Sequence, residues 1–341
     1  MVSERSLAVL RAIVQDYVAS REPVGSKSIV ERHAFGVSAA TIRNDMALLE
    51  EEELIAAPHT SSGRIPTDKG YRVFVDQLSE IRPLSQAQRQ AIETFLGESS
   101  DLDELLARTV RLISQLTKQL AVVQYPSFGS SRVRHVEVVQ LAPDRVLCVL
   151  ITDSGQVEQR LAMLEQPVDE ETLAGLRVRL NEIAGGRTMT EAAEALSGEI
   201  AATDPRHAEV LHTLAATLAE QARVQRQDRL VVAGAANLVR TEEDFAGSIL
   251  AVIEAIEEQV VLLRLFGEMA ADEQHSVAVR IGRENAPYGL GETSVVSSSF
   301  AIPGRDVSRL GIVGPTRMDY SQTMAAVRAV ARYLSRTLGE N

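Results

Sequence analysis

The stretch that decides the fold runs from residue 38 to residue 72 and reads SAATIRNDMALLEEEELIAAPHTSSGRIPTDKGYR. Ser38 is a typical helix N-cap, because its hydroxyl can accept a hydrogen bond from a free backbone amide. Ile42, Met46 and Leu49 follow at spacings of four and three, which is the period of a helix with one apolar face. The opposite face of this predicted helix is therefore free to contact something else.

An acidic turn follows the helix, and the next residues predict a short hairpin. Residues 54–57 form the first strand, Ile65 begins the return, and Pro66 stops it. The polar loop between them has Gly63 at its tip and consists of His59, Thr60, Ser61, Ser62, Gly63 and Arg64. A further helix, capped by Thr67, then leads out of the hairpin.

Two more helices are predicted upstream. The first helix begins after Ser3 and ends before residues 22–25. The second helix begins at Ser26 and ends before a turn at Phe35 and Gly36. Three helices with a turn before the last match the order of a helix-turn-helix, in which the third helix reads DNA. Together with the hairpin, this order predicts a winged helix-turn-helix domain in residues 1–83.

The residue types on the outer face of the third helix suit the edges of DNA bases. Arg can bind guanine through two hydrogen bonds, Asn can pair with adenine, and small side chains allow close approach to thymine methyl groups. The amino end of the second helix, at Lys27 and Ser28, favours phosphate through its free amides. The predicted DNA-binding residues are Lys27, Ser28, Ser38, Ala40, Thr41, Arg43, Asn44, His59, Thr60, Ser61, Ser62, Gly63 and Arg64.

Two classes of function remain open on this pattern. One is a DNA-binding regulator. The other is a ligand-sensing or protein-docking module whose winged helix contacts protein, since some winged helices bind only protein and an Arg/Asn face is often plain solvated surface.

Five segments also resemble a known family, the HrcA heat-inducible transcription repressors of bacteria. They are SERSLAVLRAIVQDYVASREPVGSKSI at 3–29, ATIRNDMALLEEEELI at 40–55, PHTSSGRIPTDKGYRVFVD at 58–76, GRENAPYGLGETSVVSSSF at 282–300 and GIVGPTRMDY at 311–320. The resemblance implies a homodimer that binds an inverted-repeat operator in double-stranded DNA, called CIRCE, upstream of chaperone genes. It also implies that the GroE chaperonin maintains the active form of the repressor.

The rest of the chain alternates between strands and helices, which predicts an α+β multidomain protein. Helices are expected near 85–97 and 101–124, and a three-stranded antiparallel meander from residue 133. A mostly helical stretch from 169 to about 258 follows, strands return at 260–266, 275–282, 293–302 and 307–313, and a final helix covers 319–338.

A sheet that is interrupted and then resumed indicates an inserted domain, and the family resemblance implies a GAF-like sheet domain that carries an inserted dimerisation domain. The expected boundaries are 1–83 for the winged helix and 84–132 for a helical linker. They are 133–167 with 259–341 for the GAF-like domain, and 168–258 for the insert. Six leucines of the insert are either core residues or a subunit contact: Leu173, Leu176, Leu180, Leu211, Leu214 and Leu218.

The composition is that of a globular protein, with 341 residues, 45% hydrophobic and 24% charged. The net charge of −12 is unusual for a DNA-binding protein. Residues 1–83, however, hold ten Lys and Arg against twelve Asp and Glu, a net −2, which leaves −10 for the remainder. Affinity for DNA is therefore expected to depend on local placement of charge and on dimerisation.

Other sequence features set the expected compartment and exclude several kinds of site. The start of the chain lacks a secretory signal pattern, and no apolar run approaches the ~20 residues that span a bilayer, so we expect a cytoplasmic protein that makes no membrane contact. Cys148, the single cysteine, lies in an apolar run and is expected to be buried.

Enzymatic and cofactor sites find little support in the sequence. His207 and His212 are five residues apart, which misaligns them on a helix for metal binding. Residues 282–291 are rich in Gly but lack the motif of a P-loop. Residues 314–320 combine Arg, Asp and Tyr, but Pro315 and Thr316 favour a turn into the last helix. We therefore expect no catalytic site, cofactor or metal.

Overall fold

The structure is a computed structural model with a mixed α+β fold. It describes residues 2–59, 62–78, 83–97, 99, 101–125, 131–153, 155, 157–198, 207–224, 230–245, 249–269, 277–301 and 307–339. The chain forms two compact units. The first contains Met1–Gln124, Leu230–Ser299 and Arg309–Leu334, and the second contains Tyr125–Arg229, Phe300–Ser308 and Ser335–Asn341.

The N-terminal part of the first unit has the predicted order of elements. These are helices α1 (Glu4–Ser20), α2 (Ser26–Arg32) and α3 (Ala39–Glu51), strands β1 (Ile55–Ala56) and β2 (Ile65–Pro66), and helix α4 (Asp68–Asp76). The side chains of Ser3, Ser38 and Thr67 each accept a hydrogen bond from a backbone amide three residues later, and so cap α1, α3 and α4. The expected caps at Ser38 and Thr67 are thus confirmed.

The remaining elements follow in chain order. They are α5 (Gln86–Gly97), α6 (Leu102–Thr117), β3 (Leu120–Gln124), β4 (Val133–Ala142), β5 (Arg145–Thr152), β6 (Val157–Met163), α7 (Glu170–Ala184), α8 (Met189–Ser197), α9 (Ala208–Val224), β7 (Leu230–Ala233), α10 (Ala235–Arg240), α11 (Leu250–Glu257), α12 (Val260–Met269), β8 (Ala278–Ile281), β9 (Thr293–Phe300), β10 (Ser308–Pro315) and α13 (Tyr320–Gly339).

The first unit is built on a five-stranded sheet with the strand order β7-β3-β10-β9-β8. Its two segments, before and after the second unit, meet where β3 pairs antiparallel with both β7 and β10. The side chains of Leu120, Val122 and Val313 are fully buried in the core of this sheet. A sheet resumed after an insertion, as the sequence indicated, is therefore present, but its strands are not all those expected.

Two predicted elements of the first unit were wrong. The helix expected over 101–124 ends at Thr117, because Lys118 takes a left-handed conformation with φ 58°, and β3 follows as an internal strand of the sheet. The strand expected at 260–266 is part of helix α12, which buries Leu262, Leu265 and Phe266 on one side. Short apolar runs cannot be assigned by periodicity alone, and both errors fall on such runs.

The second unit contains the predicted meander, β4-β5-β6, as a separate three-stranded antiparallel sheet. The sequence predicts that residues 133–167 belong to the same domain as residues 259–341. Instead the meander shares one buried core with α7, α8 and α9. The inserted unit therefore begins near residue 125 and ends near 229, rather than covering 168–258. Residues 84–132 are likewise no simple linker, since α6 buries Leu105, Leu106 and Ile113 in the first unit.

Three buried features complete the second unit. All six leucines that were open between core and subunit contact lie in its core, each at most 8% exposed. Cys148 is fully buried as expected, and burial raises the pKa of its thiol to about 12. Asn181 ties α7 to β4, because its side-chain amide donates to the Val136 carbonyl at 2.7 Å and its oxygen accepts from the Val136 amide at 2.8 Å.

Over the described part of the chain, no helix combines the length and apolar character needed to cross a membrane. The same residues contain no group of three or more His, Cys, Asp or Glu side chains placed to hold a metal ion.

Candidate nucleic-acid interface

Helix α3 has one exposed polar face and one buried face, as the sequence predicted. Ala40, Arg43, Asn44 and Ala47 are exposed, and Thr41 is half-buried. Within the described residues, the side chains of Arg43 and Asn44 have no hydrogen-bond or ion-pair partner. On the opposite face, Ile42, Met46 and Leu49 are at most 7% exposed. The two side chains best able to read base edges are thus held at the surface by a helix whose other face is fixed.

Asp45 adds a polar anchor on the buried face that the sequence reasoning missed. Its carboxylate is 2% exposed and accepts hydrogen bonds from Arg5 Nε at 2.8 Å, Arg5 Nη2 at 3.3 Å and Ser6 Oγ at 2.9 Å. Burial alone would raise the pKa of Asp45, but the bonds from Arg5 and Ser6 outweigh it and hold the pKa below its usual value. The carboxylate therefore ties α3 to α1. Asp45 follows Ile42 by three residues, which places both on the same face of the helix. This spacing was the signal in the sequence that Asp45 would be buried.

Lys27 and Ser28 lie at the start of α2, and within the described residues their side chains make no hydrogen bond or ion pair. Lys27 is exposed, and Ser28 is half-buried. Gly25 occupies the N-cap position and supplies no side chain to bond the first amides of the helix. The free amides that were expected to suit phosphate are therefore not used by a side-chain cap.

The hairpin loop is more tightly built than expected. Ser62 Oγ donates to the His59 carbonyl at 2.7 Å and accepts from the His59 amide at 3.0 Å, which closes the turn. His59 is exposed. Thr60 and Ser61, also predicted to bind DNA, lie outside the described residues. The hydroxyl of Ser62 is thus occupied by the loop itself, and His59 is the exposed predicted residue here.

Gly63 lies against the chain before α2 rather than at a free tip. Val24 and Arg64 exchange two backbone hydrogen bonds of 2.9 Å. A Cβ atom at Gly63 would lie 2.5 Å from the Pro23 carbonyl oxygen, so only glycine permits this approach. The predicted tip position was therefore wrong, and the glycine instead joins the hairpin to the start of α2.

Arg64 has an internal partner that the sequence reasoning did not foresee. Its Nε and Nη2 atoms both lie 2.9 Å from Glu50 Oε2, and Nη1 donates to the Ser62 carbonyl at 3.2 Å. The side chain of Arg64 remains 27% exposed. The acidic end of α3 thus holds the hairpin arginine. Through Val24 and Glu50, Arg64 connects the start of α2, the hairpin and α3.

Comparison with known proteins decides the family. The model of the HrcA protein C-terminal domain matches residues 103–324. The heat-inducible transcription repressor HrcA of Clavibacter michiganensis subsp. michiganensis is 67% identical over 343 residues, and the match covers 100% of each chain. That of Leifsonia xyli subsp. xyli is 66% identical, again over 100% of each chain. The chain belongs to the HrcA family.

As an HrcA repressor, the chain is a negative regulator of heat-shock transcription and not an enzyme. DNA binding follows from this role. A crystal structure described as that of a hypothetical protein at 2.2 Å resolution is also similar, with a TM-score of 0.63 and 24% identity, covering 100% of this chain and 99% of the other. That likeness shows a shared fold over the full length.

Proposed function

We propose that the chain represses chaperone genes as a homodimer that binds the inverted-repeat CIRCE operator through α3 and the hairpin. Residues 1–83 act as a winged helix-turn-helix, the five-stranded unit is the GAF-like domain, and the inserted unit is the dimerisation domain. The observation that carries the proposal is the exposed face of α3, with Arg43 and Asn44 unpaired within the described residues above a buried apolar face. A DNA-reading helix needs this combination of free polar groups and a fixed orientation.

Within this proposal the residues have different roles. Arg43 and Asn44 contact base edges, and Ala40 and Thr41 let the helix approach. Ser38 caps the helix and, together with Lys27, Ser28 and the exposed His59, contacts the phosphate backbone. The sequence pattern assigns the same role to Thr60, Ser61 and Ser62. Gly63 and Arg64 hold the hairpin in place, and Arg64, whose side chain remains 27% exposed beside Glu50, also contacts a phosphate.

The dimer is supported by the outer face of the β4-β5-β6 sheet, the face opposite its helices. Val139, Leu147 and Leu161 are in register across the three strands, and Val139 and Leu161 are 42% and 47% exposed. Leu141, Val157 and Met163 are more than half exposed as well. Contiguous apolar surface of this kind is typical of protein interfaces. We assign this face to a second copy of the chain. A palindromic operator requires two reading helices that lie about one DNA turn, or a multiple of it, apart.

Arg43→Ala tests the reading helix. We expect it to weaken binding of the operator by about 1–3 kcal/mol, and to relax preference at one base position, because a two-bond contact to guanine is lost. Gel-shift or fluorescence anisotropy on the operator and on single-base variants measures both effects. The matched control is Arg134→Ala, which removes another exposed arginine, one that belongs to the inserted unit. Unchanged affinity and base preference in Arg43→Ala would show that α3 does not read the operator and would favour a protein-docking role.

Arg64→Ala tests the hairpin by a different readout. If Arg64 meets a phosphate, the variant weakens all sequences alike and flattens the slope of log affinity against log salt by about one. Glu50→Gln removes the partner carboxylate but keeps the arginine, so it should leave this slope at the wild-type value. An unchanged slope in Arg64→Ala would restrict this residue to bracing the hairpin.

Dependence on the GroE chaperonin follows from the family resemblance and has its own test. The full chain is refolded or incubated with and without purified GroE, and the operator-competent fraction is measured by titration with excess DNA. We expect a larger competent fraction with the chaperonin and ATP. Equal fractions would remove the chaperonin from the mechanism but leave operator binding intact.

Repression of chromosomal genes further implies a cytoplasmic location.

A further inference from the structure

A cavity of about 550 Å³ in the first unit lies outside the surfaces assigned to DNA and to the second subunit. Helices α1 and α4 form two of its walls, and the segment at the start of α13 forms the third. Its apolar lining includes Val14, Phe74, Met318 and Met324, which are all at most 7% exposed. A concave site of this volume with an apolar floor is of the size that holds a small organic molecule.

The rim of the cavity carries polar groups, of which one cation stands out. Arg11 is exposed and lines the cavity, and within the described residues its guanidinium has no hydrogen-bond or ion-pair partner. Asp319 also lines the rim, but its Oδ1 accepts from the Gln322 amide at 3.0 Å and so caps α13. The positive end of that helix offsets the charge of the carboxylate. The charge left to meet a ligand is therefore the guanidinium of Arg11.

We propose that this cavity binds a small organic anion with an apolar body, whose anionic group pairs with Arg11 and whose body fills the space above Phe74 and Met324. An arginine is suited to an oxyanion because its planar fork donates two parallel hydrogen bonds. The two methionines of the lining adapt to irregular apolar shapes. The proposal goes beyond repression of transcription, because it concerns a ligand that the DNA-binding surface does not touch.

The walls give such a ligand access to both halves of the first unit. Helices α1 and α4 belong to the part that carries α3, whereas Met318 to Met324 follow strand β10 of the sheet. A bound molecule therefore contacts both at once and stabilises their contact, since a ligand that binds only the folded arrangement raises its stability.

The test uses 8-anilinonaphthalene-1-sulfonate as the probe, because it combines an anionic group with an aromatic body and becomes fluorescent in apolar sites. Titration of the full-length protein should give one saturable site per chain, from which octanoate displaces the probe. Arg11→Gln should weaken this site about tenfold or more, because the positive charge and one of the two hydrogen bonds are lost while the glutamine amide can still donate the other. Ala19→Trp, at an exposed position of the rim, should abolish the site by filling it.

Two controls separate this site from other apolar surface. Arg134→Gln removes an exposed arginine of the inserted unit and should leave probe binding unchanged. Thermal unfolding by circular dichroism should be the same for wild type, Arg11→Gln and Ala19→Trp without probe, because both positions are exposed. Superimposable titrations for wild type, Arg11→Gln and Ala19→Trp would overturn the proposal and assign the fluorescence to the exposed face of the β4-β5-β6 sheet. Neither probe fluorescence nor thermal unfolding depends on operator binding. The outcome of this test is therefore independent of the proposed DNA function.

Discussion

Leu161→Lys is expected to convert the proposed dimer to a monomer and to lower its affinity for the full operator by about a hundredfold or more. Leu161 is 47% exposed and lies in register with Leu147 and Val139 on the outer face of the sheet. A charge placed there would be buried without a partner in the dimer, which is strongly unfavourable. The monomer keeps one reading helix and loses the gain from binding two half-sites at once, about 10²-fold or more.

Sedimentation or light scattering measures the mass, and anisotropy measures binding to the full operator and to a single half-site. Lysine is well tolerated on the edge strand β6, so the fold of the inserted unit should persist. Val178→Lys is the matched control: Val178 is 58% exposed on α7, away from the sheet face, and the change adds the same charge. A dimeric Leu161→Lys protein with wild-type affinity would exclude this face as the subunit interface.

The sequence predicted those features that depend on local chemistry. The caps at Ser38 and Thr67, the apolar face of α3 and the start of the last helix all follow from residues within a few positions of each other. Backbone hydrogen bonds at a helix end and the period of apolar residues are set locally. The exposed positions of Arg43 and Asn44 follow from the same period, so the exposed polar face of α3 was accessible to sequence reasoning.

The features that sequence reasoning missed depend on residues that are far apart in the chain. Asp45 bonds to Arg5, forty positions away, and Arg64 bonds to Glu50 of α3, fourteen positions away. Nothing in the local pattern at Arg64 distinguishes a free cation from a paired one. The assignment of the meander to the wrong sheet has the same origin, because alternation predicts strands but not which strands pair.

Arg317→Met is expected to lower the free energy of unfolding of the first unit by about 3 kcal/mol, at the lower end of the range for breaking a buried ion pair. Arg317 lies in the segment before α13 and is 10% exposed. Its Nε and Nη2 atoms bind the two carboxylate oxygens of Asp244 at 2.9 and 2.5 Å, and Nη1 donates to the Val18 carbonyl of α1 at 2.9 Å. Methionine keeps the packing of the side chain, so the loss reports the charge and its hydrogen bonds.

The cost arises mainly from the partner left behind. Asp244 is 6% exposed, and Arg21, which is half exposed, would be its remaining cation at 3.2 Å. A second change, Asp244→Leu, should therefore restore most of the stability lost in Arg317→Met, because an apolar pair of similar volume can replace a buried ion pair. Urea unfolding of the wild type, of Arg317→Met, of Asp244→Leu and of the variant that carries both changes makes a double-mutant cycle. Arg134→Met, at an exposed position, is the control and should change stability by less than about 0.5 kcal/mol. Additive effects of the two changes would show that Arg317 and Asp244 do not act as a pair.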